Sequence, residues 1–194
     1  LGSGPISLLT TTTATESGLA ARLKGTLGQF KVDINGNANS LQSFSDARVE
    51  AQISGPNFGR IARLAALEGW PEKPFDLGVD LQRKENSLEI SKLNMTLAGA
   101  RIELQGMLPT FPELAGANAT LRVNGPDLAP FRQGLSFPEL PAGAFSIAGE
   151  ISSPSETTTR VALNFTTPLA RGKVTGSIGG GADFLGTDLI IRVQ

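Results

Sequence analysis

The chain has 194 residues, of which 40% are hydrophobic and 18% charged, and its formal net charge is −1. That is enough apolar material for a sizeable core, and because Lys and Arg are scattered rather than clustered, no nucleic acid is expected as a partner. With no His, Cys or Tyr, the side chains that do most nucleophilic and general-base work are absent from the composition, so the expectation is a protein that is not an enzyme.

Leu1 to Gly18 is rich in Thr, Ser and Gly, and Ile6 to Thr13 reads as an edge strand or a frayed leader. From Leu19 the pattern sharpens. Val32 and Ile34 stand between Lys31, Asp33 and Asn35, and Val49, Ala51 and Ile53 between Arg48, Glu50 and Gln52. Alternation with period two is the mark of strands with one apolar face. After Gly55-Pro56, Asn57 is an N-cap candidate, and Phe58, Ile61, Leu64 and Ala65 predict a short amphipathic helix ending near Gly69. Trp70-Pro71-Glu72-Lys73-Pro74 then turns the chain.

Phe75, Leu77, Val79 and Leu81 alternate with polar residues up to a turn at Arg83 to Asn86. In the next strand Leu88 and Ile90 share one parity, whereas Leu93, Met95 and Leu97 share the other. A one-residue slip sends every later side chain to the opposite face, so one apolar face is kept only if a β-bulge or bend falls at Ser91-Lys92. Gly99 makes a turn, Ile102 and Leu104 continue the apolar face, Met107 to Ala115 is a loop, and Ala117, Ala119, Leu121 and Val123 close the unit. Asp127 caps a second helix with Leu128, Phe131 and Leu135. Strands follow through Phe145, Ile147 and Ile151, then Val161, Leu163 and Phe165, then Val174 and Ile178, and finally Leu189, Ile191 and Val193.

These elements recur with a period of about seventy residues. Gly55-Pro56-Asn57-Phe58 returns as Gly125-Pro126-Asp127-Leu128, Pro71 to Phe75 as Pro141 to Phe145, and Ala100 to Gly106 as Ala170 to Gly176. Phe30 to Gly36 supplies a third copy of the last of these. The match fades before Leu19, which divides the chain into a partial first repeat at 1–53, a second at 54–123 and a third at 124–194. The fold class expected is mainly β with short helices. It is an elongated, twisted antiparallel sheet of about four strands plus one helix per repeat, open and groove-like.

Few motifs compete for a chemical role. Asp33, Glu50, Asp76, Asp80 and Glu103 fall on the polar parity of strands and read as a solvated face, without metal-ligand spacing. Gly179-Gly180-Gly181 lacks the following Lys-Ser or Lys-Thr of a phosphate loop and reads as a hairpin loop. Asn94-Met95-Thr96, Asn118-Ala119-Thr120 and Asn164-Phe165-Thr166 match the glycosylation pattern, but two of the three lie at the repeat offset, and repetition explains them more simply. No run reaches the roughly eighteen apolar residues of a membrane helix. The absence of a starting Met, and an end inside a strand pattern, give the expectation of a segment from a longer chain whose targeting or anchoring parts lie outside it.

What remains is the apolar parity. Its candidate site residues are Phe75, Leu77, Val79, Leu81, Leu93, Met95, Leu97, Ile102, Leu104, Phe145, Ile147, Leu163, Phe165 and Val174. An ordinary core under the helices would use some of them. A helix of twelve residues, however, is only about 18 Å long, too little to cover four strands spaced about 4.8 Å apart. An uncovered remainder would be an exposed apolar patch of the kind that marks a ligand or partner surface.

Taken together, Gly-Pro-Asp/Asn plus a short helix, a Pro-rich turn, the Phe75 to Leu81 and Phe145 to Ile151 strands, the bent Leu88 to Leu93 strand and the Ala-Arg-x-x-Leu/Val-x-Gly segments at Ala100 to Gly106 and Ala170 to Gly176 resemble repeats of the AsmA-like family. The resemblance covers most of residues 19–194. The third copy departs from it at Thr157 to Arg160, which lacks the leucines of the bent strand. The resemblance implies a bacterial envelope protein in the periplasm, with an inner-membrane anchor outside this segment. It implies a long β-groove, similar to bridge-like lipid transfer proteins, that conducts phospholipid towards the outer membrane. The partners it implies are phospholipid acyl chains, with no cofactor. The alternative expectation is a structural or assembly-factor array that binds outer-membrane or other envelope proteins through sheet edges such as Ala47 to Ile53.

Overall fold

A computed structural model of the chain describes residues 5–15, 18–39, 46–64, 66–109, 115–135, 139–179 and 187–194. Twelve strands form a single open sheet, each paired antiparallel with its neighbours in chain order. They are β1 (Ile6–Thr15), β2 (Gly18–Leu27), β3 (Phe30–Ala38), β4 (Arg48–Gly55), β5 (Phe75–Lys84), β6 (Ser87–Leu97), β7 (Ala100–Leu108), β8 (Ala117–Gly125), β9 (Phe145–Ser155), β10 (Thr158–Thr166), β11 (Arg171–Gly179) and β12 (Asp188–Val193). The helix α1 (Phe58–Leu64) lies between β4 and β5, and a 3-10 turn (Ala129–Phe131) lies between β8 and β9.

Local chemistry accounts for the tight connections. Between β6 and β7, Ala98 (φ 51°) and Gly99 (φ 83°) both sit in the left-handed region, the geometry of a two-residue hairpin turn whose twist matches that of the strands. The parity slip has its expected consequence. Asp80 pairs with Lys92 and Leu81 with Ile90, so Ser91 is an extra residue opposite β5, and the β6 to β7 register shifts between Ile90 and Leu93. This bulge puts Leu88 and Ile90 on the same face as Leu93, Met95 and Leu97. In the third group of strands the irregularity falls instead between Thr158 and Arg160, where the leucines of the bent strand are lacking.

The Asn57 cap is present: its Oδ1 accepts the Arg60 backbone N–H at 3.1 Å. Two further N-terminal donors of α1, at Phe58 and Gly59, are satisfied by the carbonyls of Lys73 (2.9 Å) and Pro71 (3.1 Å). The helix has seven residues, shorter than expected, because Ala66 turns into the left-handed region (φ 56°) and Leu67 N–H closes on the Ala62 carbonyl at 2.9 Å. The second expected helix is corrected to the 3-10 turn. Asp127 does not cap an α-helix; its Oδ1 accepts from Ala129 N–H (3.0 Å) and Gly143 N–H (2.9 Å), tying the two ends of that connection together. Ala65, residues 110–114 of the expected Pro-containing loop, and Gly180 and Gly181 lie outside the described residues.

The buried core is small and sits at one end of the strands. It comprises Phe30, Phe75, Leu97, Ala100 and Phe145 from the sheet, with Leu128 and Phe131 from the connection, and Phe58, Ile61 and Trp70 pack against it. Six rings form a chain of edge and tilted contacts in the order Phe30, Phe75, Phe58, Trp70, Phe131, Phe145, with centroids 5.4 to 6.4 Å apart. Trp70 thus fastens the α1 connection to the 3-10 connection. Gly55 and Gly125 are glycines for a steric reason: a Cβ would lie 2.3 Å from the Phe30 ring at Gly55 and 2.7 Å from the Phe145 ring at Gly125.

The Asp127 tie gives a pH-dependent prediction. The backbone N–H of Gly143 first, and that of Ala129 second, hold its carboxyl below the usual carboxylate range. A group whose folded pKa is depressed contributes stability above its unfolded value, about 3.9 for Asp, and loses it as pH falls through the folded value. Thermal melts from pH 7 down to pH 2 are expected to show falling stability below about pH 4, and Asp127→Asn should flatten part of that fall. The remainder belongs to Asp33 and Glu72, held low chiefly by Arg22 and Arg63 respectively.

Candidate functional site

Register pairing carries the alternation of single strands into rows that cross the sheet. The central row runs from Leu23 to Ile34, Ala51, Val79, Leu93 and Leu104. It continues through Leu121, Gly149, Leu163 and Val174 to Ile191. On the side of the aromatic cap, a second row holds Val32, Ile53, Leu77, Met95, Ile102, Val123, Ile147 and Phe165. On the other side a third holds Val49, Leu81, Ile90, Ala119, Ile151 and Val161. At about 4.8 Å between strands, the central row, from β2 to β12, is on the order of 50 Å long, and the second (β3 to β10) and third (β4 to β10) are each on the order of 30 Å.

Among the described residues the α1 and 3-10 connections cover the aromatic end of the sheet, where Ile53, Leu77, Met95, Val123 and Ile147 of the second row pack against the capped core, and that core takes in no residue of the central or third row. The helix meets the sheet only at the aromatic end. Side chains of the central row from Leu23 to Val174 are therefore half-buried, shielded by their neighbours within the sheet and open above, and Ile191 on β12 is exposed. Eleven of the fourteen candidates, Leu77, Val79, Leu81, Leu93, Met95, Ile102, Leu104, Ile147, Leu163, Phe165 and Val174, lie on the apolar face and are half-buried, with Leu77, Met95 and Ile147 packing against the capped core. Phe75, Leu97 and Phe145 are corrected: at 5%, 0% and 6% exposure they belong to the core under the cap and present no surface to a ligand. Ile34, Ile53, Leu121 and Val123 join the face. Their strands carried the same alternation, so the signal was present in the sequence.

The opposite face is charged. Arg22 clasps Asp33 through Nε (3.3 Å) and Nη2 (2.9 Å), and Arg48 clasps Asp80 through Nε (3.1 Å) and Nη2 (2.7 Å). Each arginine is held above its usual pKa, first by the hydrogen bond to its partner. These exposed pairs contribute little stability; they keep this face polar. Four hollows of about 360 to 490 Å³ lie between its side chains, and the groups lining them, such as Asp33, Glu50, Asp80 and Lys92 or Glu150, Arg160 and Asp188, suit water and ions.

The hydrocarbon-compatible hollow is on the other face. It is a recess of about 170 Å³ between α1 and the sheet, lined by Leu27, Phe30, Val32, Ile53, Ile61, Leu64 and Arg60. Among the described residues no three or more His, Cys, Asp or Glu side chains gather as a metal site, and no helix is long and apolar enough to cross a membrane. Comparison of the chain with protein-family models, curated proteins and solved structures gives no match.

Proposed function

We propose that the open apolar face binds lipid acyl chains and conducts phospholipid along the sheet, as part of a bridge-like protein between the inner and outer membranes of a bacterial envelope. The observation that carries the reading is the set of adjacent apolar rows crossing the sheet, of which the central row is half-buried and lies outside the capped core. Chains laid on such rows gain about 25 cal/mol per Å² of apolar surface removed from water. Headgroups stay in solvent beyond the face, so selectivity among them is low. The AsmA-like resemblance supports the same reading, and under it the segment would lie in the periplasm with an inner-membrane anchor in another part of the protein.

The strand positions fit a repeat array. β5, β6, β7 and β8 begin at residues 75, 87, 100 and 117, and β9 to β12 begin at 145, 158, 171 and 188, seventy or seventy-one residues later. The Phe58 N–H to Lys73 carbonyl bond recurs seventy residues on as Leu128 N–H to Gly143 carbonyl. β1 to β4 begin at 6, 18, 30 and 48, so the first group also has four strands, with β1 standing where the sequence match fades.

Native mass spectrometry after mild extraction tests the function. The expected spectrum shows phospholipid-sized adducts whose fatty-acid composition follows that of the membrane. A protein that stays adduct-free when extracted from, or incubated with, phospholipid vesicles contradicts the proposal.

A second reading, strand addition by envelope-protein clients, is favoured by one feature. β12 is exposed along its whole length, with Leu189, Ile190, Ile191 and Val193 at 40% to 61% exposure, and among the described residues it pairs with β11 alone, so an added strand could join its other side. The Ala47 to Ile53 strand named for this role is instead interior, paired with both β3 and β5. An Ile190→Lys, Ile191→Lys double variant should lose binding of an unfolded outer-membrane barrel protein if clients add to β12. Unchanged binding would remove this reading.

A further inference from the structure

We propose that the recess between α1 and the sheet seats one anionic amphiphile, with its acid group on Arg60 and its hydrocarbon chain entering the recess and continuing along the second row. This rests on the lipid-face reading and specifies where on the face a chain begins and which headgroup charge is held there.

The recess exists because α1 is short and anchored on one side. Ala62 is buried at 1% exposure and Phe58 and Ile61 pack on the core, whereas Leu64 is 71% and Leu27 36% exposed. The helix therefore overhangs the sheet without closing on it. The floor is Val32 and Ile53, which lie in register with Leu77 and Met95, so the recess opens directly onto the row of the open face. Its volume of about 170 Å³ is close to that of an apolar cavity that stays dry and takes up a benzene-sized guest, about 150 Å³. A short stretch of one hydrocarbon chain fits.

Arg60 is the charged residue of this lining. The neighbouring arginine of the helix is already used: Arg63 Nη1 bonds Glu72 Oε1 at 2.7 Å, and Asn57 takes the other carboxylate oxygen at 3.2 Å. Among the described residues the Arg60 guanidinium makes no direct ion pair; it acts on Glu72 as a longer-range charge, behind the Arg63 and Asn57 bonds. A cation with no directly bonded carboxylate beside an apolar hollow has the complementarity of an acyl chain ending in a carboxylate or phosphate, to which guanidinium donates charge-assisted bonds. A neutral amphiphile of the same length would gain the burial but not the bond.

The test uses the folded chain with three probes: oleate, phosphatidylglycerol in mixed vesicles, and the neutral oleyl alcohol. Binding is read by displacement of a fluorescent fatty-acid analogue. Arg60→Gln is expected to weaken oleate, phosphatidylglycerol or both about tenfold while changing oleyl alcohol less than twofold, and Arg60→Lys should restore much of the loss. Loss for oleate alone assigns a free carboxylate, and loss for phosphatidylglycerol alone assigns a phosphate. Leu64→Glu, which adds a negative charge at an exposed position of the lip, should weaken the anions without unfolding the protein. Equal binding of acid and alcohol by wild type, or indifference of all three probes to Arg60→Gln, overturns the seat and leaves the open-face reading standing. No binding of oleyl alcohol by wild type overturns the open-face reading, and the seat with it.

Discussion

Replacing Leu97 with alanine is expected to cost about 3 to 4 kcal/mol of unfolding free energy, whereas Leu93→Ala on the same strand and face costs about 1 kcal/mol. Both leucines share the parity that points to the apolar face, and alternation alone ranks them equally. The structure separates them. Leu97 is fully buried, paired with Phe75 and Ala100 and enclosed by the aromatic cap, so its truncation leaves a cavity that the rings close only partly. Leu93 is half-buried between Val79 and Leu104 with open space above it, so truncation exposes neighbours to solvent already present and creates no void. Since small and medium domains have only about 5 to 15 kcal/mol in total, urea denaturation will resolve the two variants. Equal losses would mean that the central row is covered as the capped end is.

The second large effect concerns the face itself. Leu93→Asp and Leu104→Asp, singly and together, are expected to leave the fold intact and to reduce bound phospholipid at least fivefold in the double variant. An aspartate at either position stays hydrated, because the row is open, which is why folding tolerates it. The same hydration is what a hydrocarbon chain lying there would have to remove, and burying an unpaired carboxylate costs several kcal/mol. Circular dichroism establishes the fold and lipid phosphorus per mole of protein gives the readout. The control is Asn94→Asp, between the two rows on the polar face, where the same charge should change neither quantity.

Much of this architecture was legible in the sequence, because a strand with one apolar face writes itself as period two. The bulge in β6 was legible for the same reason: the change of phase between Ile90 and Leu93 leaves a kink as the way to keep one face apolar, and the kink falls at Ser91. The Asn57 cap was equally local. What the sequence concealed depends on distance. Nothing adjacent to Trp70 reveals that it contacts both Phe58 and Phe131, so the cap joining two connections was invisible, and with it the reason that Phe75, Leu97 and Phe145 are core. The strand at Ala47 to Ile53 looked like an edge because pairing partners on both sides are remote in sequence. Arg60 carries no signal in the sequence, because an arginine on a short helix is ordinarily solvated, and its place beside an apolar recess is set by the overhang of α1.

Lipid conduction by this sheet requires hydrocarbon to lie against one face of β6 and to avoid the other. A photo-crosslinking residue placed in turn at positions 92 to 96, with the protein incubated in phospholipid vesicles and labelled lipid read by mass spectrometry, measures this directly. The expected pattern has a period of two: strong crosslinks to acyl chains at 93 and 95, and background at 92, 94 and 96. Uniform labelling along the strand, or labelling at 94 and 96 in place of 93 and 95, would contradict the account.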